Sequence, residues 1–316
     1  YTGGVGHWLF EPQSTNLITY SEDFSNSYWT KQSGVTPTYN TTETLSPDGT
    51  YNATKFIGNG SAGILKSGIF ATGVVTRSIY LKSVVGTVNV FLKDPNITIT
   101  SKSLTVTEEW QRFELIESNG SSAQGIWISG IPASGVYIWG GQLEQNSYAT
   151  SYIPTSGASA TRNQELCNNA TPVINSEEGT LYAEISALAD DLTNRYLGLS
   201  DNSQSNRIAI GFTSAGANRI RLLMTSGIGN YVDISYTVSN ITSNTKIAIS
   251  YKLNDVSLWV NGLKVGADTS AVMPSGLSEL NFDSGTGGSP FFGNTKDLKY
   301  YPKALADVQL QDLTTI

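Results

Sequence analysis

Charge is scarce in this chain of 316 residues. Asp, Glu, Lys and Arg make up only 14% of it, against about 25% in an average soluble protein. The 26 acids outnumber the 19 bases, and no basic run interrupts the pattern. Nucleic acid is therefore excluded as a partner, because phosphate binding needs clustered Lys and Arg. The single cysteine, Cys167, rules out an intrachain disulfide framework and a zinc site of the CxxC type. A protein without disulfides can mature in a reducing cytoplasm and still work outside a cell. The single histidine, His7, stands beside Trp8 in a Gly-flanked stretch. It reads as linker or packing, which leaves Ser–His–Asp and Cys–His catalysis without a base. No apolar run approaches the ~18 residues of a membrane span. Neither Met nor a signal-like segment opens the chain at Tyr1, so it reads as a C-terminal piece of a longer protein.

What the chain has in plenty is Gly (31), Tyr (16), Ser, Thr and Asn. That is the usual surface of secreted or particle-borne β-proteins. The length suggests about two domains, each with its own core. The stretch Val136–Thr161 organises them. Val136, Ile138 and Gly140 alternate with Tyr137 and Trp139 as in a strand, and Gly140-Gly141 allows a bulge. After Glu144 the apolar pattern stops and small polar residues run to Arg162, too little to form a core. A boundary falls near residue 160. The divisions expected are a lead-in over 1–16, a first module over 17–160, a linker over 161–177 and a second module over 178–316.

Both modules read as strands. In Thr76–Lys82, Ile79 and Leu81 share one face while Ser78, Tyr80 and Lys82 share the other. Similar short runs occur at Ala53–Ile57, Val88–Leu92, Trp110–Ile116 and Gly125–Ser129, and Ser46-Pro-Asp-Gly-Thr50 marks a turn. In the second module Leu181, Ala183 and Ile185 alternate with Tyr182 and Glu184. The run KIAISYKL-ND-VSLWV-NG is a meander, with Asn254-Asp255 and Asn261-Gly262 as its turns. Pro302 closes a late strand pair, and Leu305, Val308 and Leu313 are spaced for one short helix, with Asp307 as its cap. The fold class expected is all-β: two β-sandwiches and a short C-terminal helix.

Longer matches carry two resemblances. EPQSTNLITYSEDFSNSYWTK, TRSIYLKS, EEWQRFEL and the closing GGQLE…TSYIPTSG resemble a module of bacteriophage tail-fibre and related virion proteins, itself similar to jelly-roll carbohydrate-binding domains. In those domains the final strand often brings acids to a structural calcium; here it reads Trp139-Gly-Gly-Gln-Leu143, without them. EGTLYAEI, YKLNDVSLWVNG and FFGNTKDLKYYPKALADVQLQDL resemble the concanavalin A-like lectin or laminin-G-like sandwich, a fold that hosts lectins, hydrolases, lyases and spacers alike. The resemblances imply a virion appendage made in the host cytoplasm and acting outside the cell. Its partners would be bacterial surface polysaccharide and other fibre or virion subunits, and it would be a homotrimer. The alternatives are a structural spacer, a polysaccharide depolymerase fragment and a bacterial surface adhesin.

Catalysis finds little support in the residues. Cleaving a glycosidic bond takes two facing carboxylates, yet Glu177-Glu178 are adjacent and would point opposite ways on a strand, and Asp190-Asp191 reads as a turn. The Gln-x-His set of lyases with this fold cannot be assembled around His7. No catalytic residue, no metal ligand and no cofactor is assigned. Asp201, Asp233, Asp268 and Asp283 offer the hard oxygens calcium takes, but they read first as solvated surface acids. Sugar rings stack on exposed aromatics while amides and charged groups bond their hydroxyls. Trp127 and Trp139, opposite in phase to Ile126, Ile128 and Ile138, are the platforms expected in the first module, with a subunit interface as the rival use. In the second module the candidates are Tyr196, Arg207 and Tyr231, with the loops near Asn202 and Asn230.

Overall fold

A computed structural model describes residues 6–96, 101–119, 123–167, 171–227 and 231–316; Asn230, residues 1–5 of the lead-in and 168–170 of the linker lie outside them. The chain divides into two compact units, residues 13–163 and residues 1–12 together with 164–316. Both are all-β sandwiches, a jelly roll and a concanavalin A-like sandwich, and the one helix among the described residues is Asp307–Thr314. No helix among those residues is long and apolar enough to cross a membrane.

The lead-in is not a segment of its own. Trp8–Phe10 pairs antiparallel with Gly293–Thr295 in the second unit, while Ser14–Asn16 pairs with Ala160–Arg162 in the first. The apolar Trp-Leu-Phe run explains the first pairing: Phe10 is buried, its ring 4.6 Å from that of Phe282. Nor is the expected linker free of structure. Within the second unit the Glu165 N–H donates to the Glu11 carbonyl at 3.0 Å, and the Glu11 N–H to the Glu165 carboxylate at 2.7 Å.

In residues 13–163 one sheet runs Gln111–Asn119, Gly73–Ser83, Val136–Glu144, Thr54–Ile57, Thr36–Thr38, and the other Thr30–Lys31, Ile64–Phe70, Ala123–Ser129, Val88–Lys93, Ser101–Val106. From Ile64–Phe70 onward most successive strands switch sheets, which is jelly-roll winding. Ile79, Leu81, Val90, Leu92, Ile126, Ile128, Val136 and Ile138 fill the space between, as the alternation requires. Arg77 shares their inward phase and is fully buried. Its guanidinium binds Glu117, reaches Asp94 and Gln124 at 2.5 and 2.9 Å, and its Nε donates to the Gly125 carbonyl. The expected bulge is present: Gly140 takes φ +66°, and the ladder slips between Trp139 and Gln142. A buried charge also sits just past that strand's expected end. Glu144 accepts from Ser14 Oγ at 2.5 Å and from the Thr150 backbone and hydroxyl.

In the second unit a six-stranded sheet runs Trp8–Phe10, Gly293–Tyr301, Glu178–Ala187, Thr245–Lys252, Asp255–Val260, Leu263–Asp268. Its inner residues Leu181, Ala183, Ile185, Ile247 and Ile249 meet Leu197, Leu199, Ile208, Ile210, Phe212 and Leu222 of the opposing sheet. The meander's first turn is Leu253-Asn254, with Asp255 already in the strand; Asn254 takes φ 58°. The second is Asn261-Gly262, both at positive φ (49° and 81°), the conformation an Asn-Gly turn of type I′ takes. The helix is capped differently from expectation. Ala306 is the N-cap, and its N–H donates to the Gln309 side chain at 3.1 Å. Asp307 is instead the first helical residue, where its charge suits the helix dipole, and it lies 3.3 Å from Lys264.

Candidate functional site

The two outer faces of the second unit are unlike. Tyr182, Ala248 and Trp259 point out from the six-stranded sheet and are covered by Leu310, with Leu305 and Leu313 beside it. The helix thus seals that face. The opposite, five-stranded sheet runs Tyr231–Thr237, Arg219–Ser226, Asn206–Phe212, Arg195–Ser200, Glu279–Asn281, and its outer face is polar and aromatic.

Register places those outer residues in rows. Tyr196 lies opposite Gly211, Gly211 opposite Arg221 and Arg221 opposite Ser235. In the next row Gly198, Ala209, Leu223 and Asp233 follow one another. A third row reads Ser200, Arg207, Thr225, Tyr231. The middle of the face is therefore Gly198, Ala209 and Gly211, a small-residue floor that neighbouring groups cover, since all three are buried. Gly198 and Gly211 have a packing reason as well. A Cβ at either would come within 2.2 or 1.8 Å of a neighbouring strand's carbonyl oxygen.

Around this floor stand the charged groups. Arg221 meets Asp233 with both arms, Nε to Oδ1 at 2.7 Å and Nη2 to Oδ2 at 2.6 Å. Its Nη1 lies 3.4 Å from the Tyr196 hydroxyl. That pairing pushes the Arg221 guanidinium up and holds the Asp233 carboxyl below its ordinary range. Arg207 is placed differently. Its Nη1 donates to the Ser284 carbonyl at 2.6 Å. Its Nε is shut off from water and has no partner among the described residues. Burial lowers its pKa from the ordinary arginine value, with Arg221 acting in the same direction. The Gly-rich stretch Asp283–Pro290, which reads in sequence as a mobile loop, supplies the Ser284 carbonyl. It is folded on itself, with Ser284 N–H to Gly288 O at 2.8 Å and Gly285 N–H to Asp283 Oδ1 at 2.5 Å.

Four of the six residues singled out from sequence belong to this region. Tyr196 is buried beside Arg221 and Tyr231 is 65% exposed. Arg207 lies in Tyr231's row. Asn202 occupies the turn just beyond Ser200, at φ 64°, and its N–H donates to Ser200 Oγ at 3.1 Å. Arg221 and Ser284 were missed, and Asp233 was read only as a surface acid and calcium candidate. The alternation of Arg219 and Arg221 with Ile220 and Leu222 marks an outward cation, but its partner depends on a register that pattern does not give.

The two tryptophans lie in the other unit. Trp127 faces outward from its sheet, half-buried, between Leu65 and Lys93 on the flanking strands. The Lys93 ammonium lies 4.8 Å from its ring centre. Trp139 has the outward phase expected of it but only 3% exposure. Tyr152 covers it at 4.5 Å between ring centres and Tyr80 flanks it at 5.3 Å. It offers no open face for stacking, because the segment after Glu144 folds back over its strand. The four acids considered for calcium do not converge. Asp233 is taken by Arg221, Asp201 by Ser203 and Asn206, Asp268 by Ser270 and Asp283 by Gly285. Among the described residues no group of three or more His, Cys, Asp or Glu could hold a metal ion.

No protein family matches the chain, and no curated protein does. Solved structures resemble it in part. The CBM40 domain of the Ruminococcus gnavus IT-sialidase, bound to α2,3-sialyllactose, aligns over 44% of this chain and 84% of its own, at 15% identity and a TM-score of 0.39. Domain 4 of a GH43 extracellular arabinanase from Geobacillus stearothermophilus, in complex with arabinotriose, covers 54% and 81% at 17% identity and 0.39. Domains LG4-5 of the mouse laminin alpha1 chain cover 89% and 96% at 10% identity and 0.33. Likeness at this level says nothing of what this chain binds.

Proposed function

We propose that the chain binds glycan without turning it over, through the outer face of the five-stranded sheet. The observation that carries this is the outward Tyr231 ring, 65% exposed on that face, with Arg207 in the same cross-strand row and the exposed Asn202 turn just beyond that row's end. A pyranose laid against Tyr231 would put its C–H face on that ring, with Arg207 and Asn202 as the polar groups along the same row to bond its hydroxyls. Asp233, an acid on this face, is engaged by Arg221 at both oxygens and so is ill-placed to act as a general acid or base.

The wider setting rests on the sequence resemblance to tail-fibre and virion proteins. In that setting the glycan is a bacterial surface polysaccharide, the protein belongs to a virion appendage, and fibre subunits associate as a homotrimer. A shallow site would bind weakly, at roughly millimolar to micromolar, about −4 to −8 kcal/mol, and threefold display would raise avidity without a new contact. A glycan array with the multimerised chain tests the reading, together with assays for new reducing ends and for unsaturated sugar. Binding without either product is the expected result. A blank array and blank whole-cell adsorption would make the chain a spacer, and either product would make it a depolymerase.

A further inference from the structure

We infer that a cavity between the two sheets of the second unit binds an uncharged apolar molecule, a ring system or an alkyl chain, with Trp8 at its mouth. The cavity lies apart from the sugar face, which is the outside of one of those sheets, and it does not depend on the glycan reading.

The space, about 350 Å3, opens where both sheets end, at the edge strands Trp8–Phe10 and Glu279–Asn281. Phe10 and Leu181 are its buried residues. Leu280, Phe282, Leu298 and Tyr300 line it as well; all four pack against the core yet stay only half-buried. Trp8 leaves its strand on the same side as Phe10 and is 63% exposed. Elsewhere in this unit the inward residues Leu197, Ile208 and Ile247 are fully buried. The sandwich is thus left unfilled along one edge, whereas protein interiors are close-packed. The described part of the linker does not fill it. Cys167 and Pro172 line the cavity, while Leu166 and Val173 beside them are exposed.

The lining fixes the chemistry of the occupant. No charged side chain stands in it among the described residues. Its one hydroxyl is taken: Tyr300 accepts from the Asn175 N–H at 2.7 Å and meets the Tyr251 hydroxyl at 3.3 Å. A charge or a polar group entering here would lose water and find no partner. An apolar cavity of about 150 Å3 holds a benzene, so this one takes roughly two fused rings or a chain of about ten carbons. A flat protein surface could not follow it inward, because the lining residues point between the sheets.

Cys167 is the only cysteine and is half-exposed, so its reaction with a thiol reagent reports on this cavity alone. The full chain is treated with dithionitrobenzoate in the presence of decanol, naphthalenemethanol or methyl β-D-glucoside. Saturable slowing by about tenfold is expected with decanol, naphthalenemethanol or both, and no effect with the glucoside. Slowing by one of the two alone assigns a chain or a ring system. Leu280→Trp fills the cavity and is expected to abolish the slowing relative to that variant's own probe-free rate. Trp8→Ala removes an exposed wall, leaves the fold intact, and is expected to weaken the effective probe by about fivefold. An unchanged thiol reaction with both apolar probes would overturn the inference. So would slowing that persists undiminished in both variants, or slowing by the glucoside equal to theirs.

Discussion

Arg221 grips both oxygens of Asp233 across adjacent strands, at 2.7 and 2.6 Å, and so takes the acid that would otherwise neutralise the face. Arg207, on the neighbouring strand, bonds the Ser284 carbonyl and has no carboxylate partner among the described residues. Breaking the first pair should therefore alter the second residue's surroundings. Asp233→Asn frees Arg221 and adds an unpaired cation to this face, so binding of acidic sugars is expected to strengthen at low salt. Both groups of the pair are partly exposed (side chains 27% and 48%), so the stability change stays small, about 0–1 kcal/mol. Affinity at two ionic strengths checks this.

Asp233 also gives an acid-side dependence. Its folded pKa is held down by Arg221, so the pair's contribution is present above the unfolded carboxylate pKa and is lost as pH falls through the folded value. A urea midpoint that declines on acidification, and declines less in Asp233→Asn, is the expected outcome.

At the alkaline end the sign reverses. Burial raises Tyr137 to about 12, with Glu43 accepting its hydroxyl proton at 2.8 Å, and burial also raises Tyr152, Tyr182 and Tyr251. Each favours its protonated form in the fold. Stability should hold up to about pH 10, the pKa of an unfolded tyrosine, and fall as pH climbs towards and past 12. Urea midpoints at pH 8, 10 and 11.5 test this; a flat profile would contradict it.

The buried Arg77 binds two carboxylates, Asp94 and Glu117. Arg77→Met leaves both facing an apolar interior and is expected to cost about 3–5 kcal/mol. The loss should appear in the unfolding of residues 13–163. A change below about 1 kcal/mol would mean the carboxylates find other partners.

Phe10 tests how the chain is shared between its units. Its ring packs on Phe282 and Phe291 of the second unit, so Phe10→Ala should lower that unit's stability by about 3–5 kcal/mol and spare residues 13–163. Limited proteolysis near 164–177 should likewise release a stable first fragment and a second one weakened by loss of its Trp8–Phe10 strand. Calorimetry of the two transitions separates the cases.

Local pattern made much of this legible. Leu181, Ala183 and Ile185 were readable as an inner face because side chains alternate along a strand, and Asn261-Gly262 as a turn because few other pairs take positive φ twice. The destination of Trp8–Phe10 was not, since its partners lie at the other end of the chain. Trp139 had the correct phase, but its cover by Tyr152 arises from a segment with no strand signal. At the site, Tyr196, Arg207 and Tyr231 could be named singly. That Arg207 lacks an acid while Arg221 has one depends on cross-strand register, which two-residue periodicity leaves open.

The most direct measurement of the central claim is binding of the multimerised chain to bacterial surface polysaccharide, compared across wild type, Tyr231→Ala and Trp127→Ala. Tyr231 is 65% exposed, so its removal leaves the fold intact and is expected to weaken binding by about tenfold. Trp127→Ala, in the other unit, is expected to bind as wild type does. Undiminished binding by Tyr231→Ala, or loss of binding in Trp127→Ala alone, would contradict a glycan site on the five-stranded sheet.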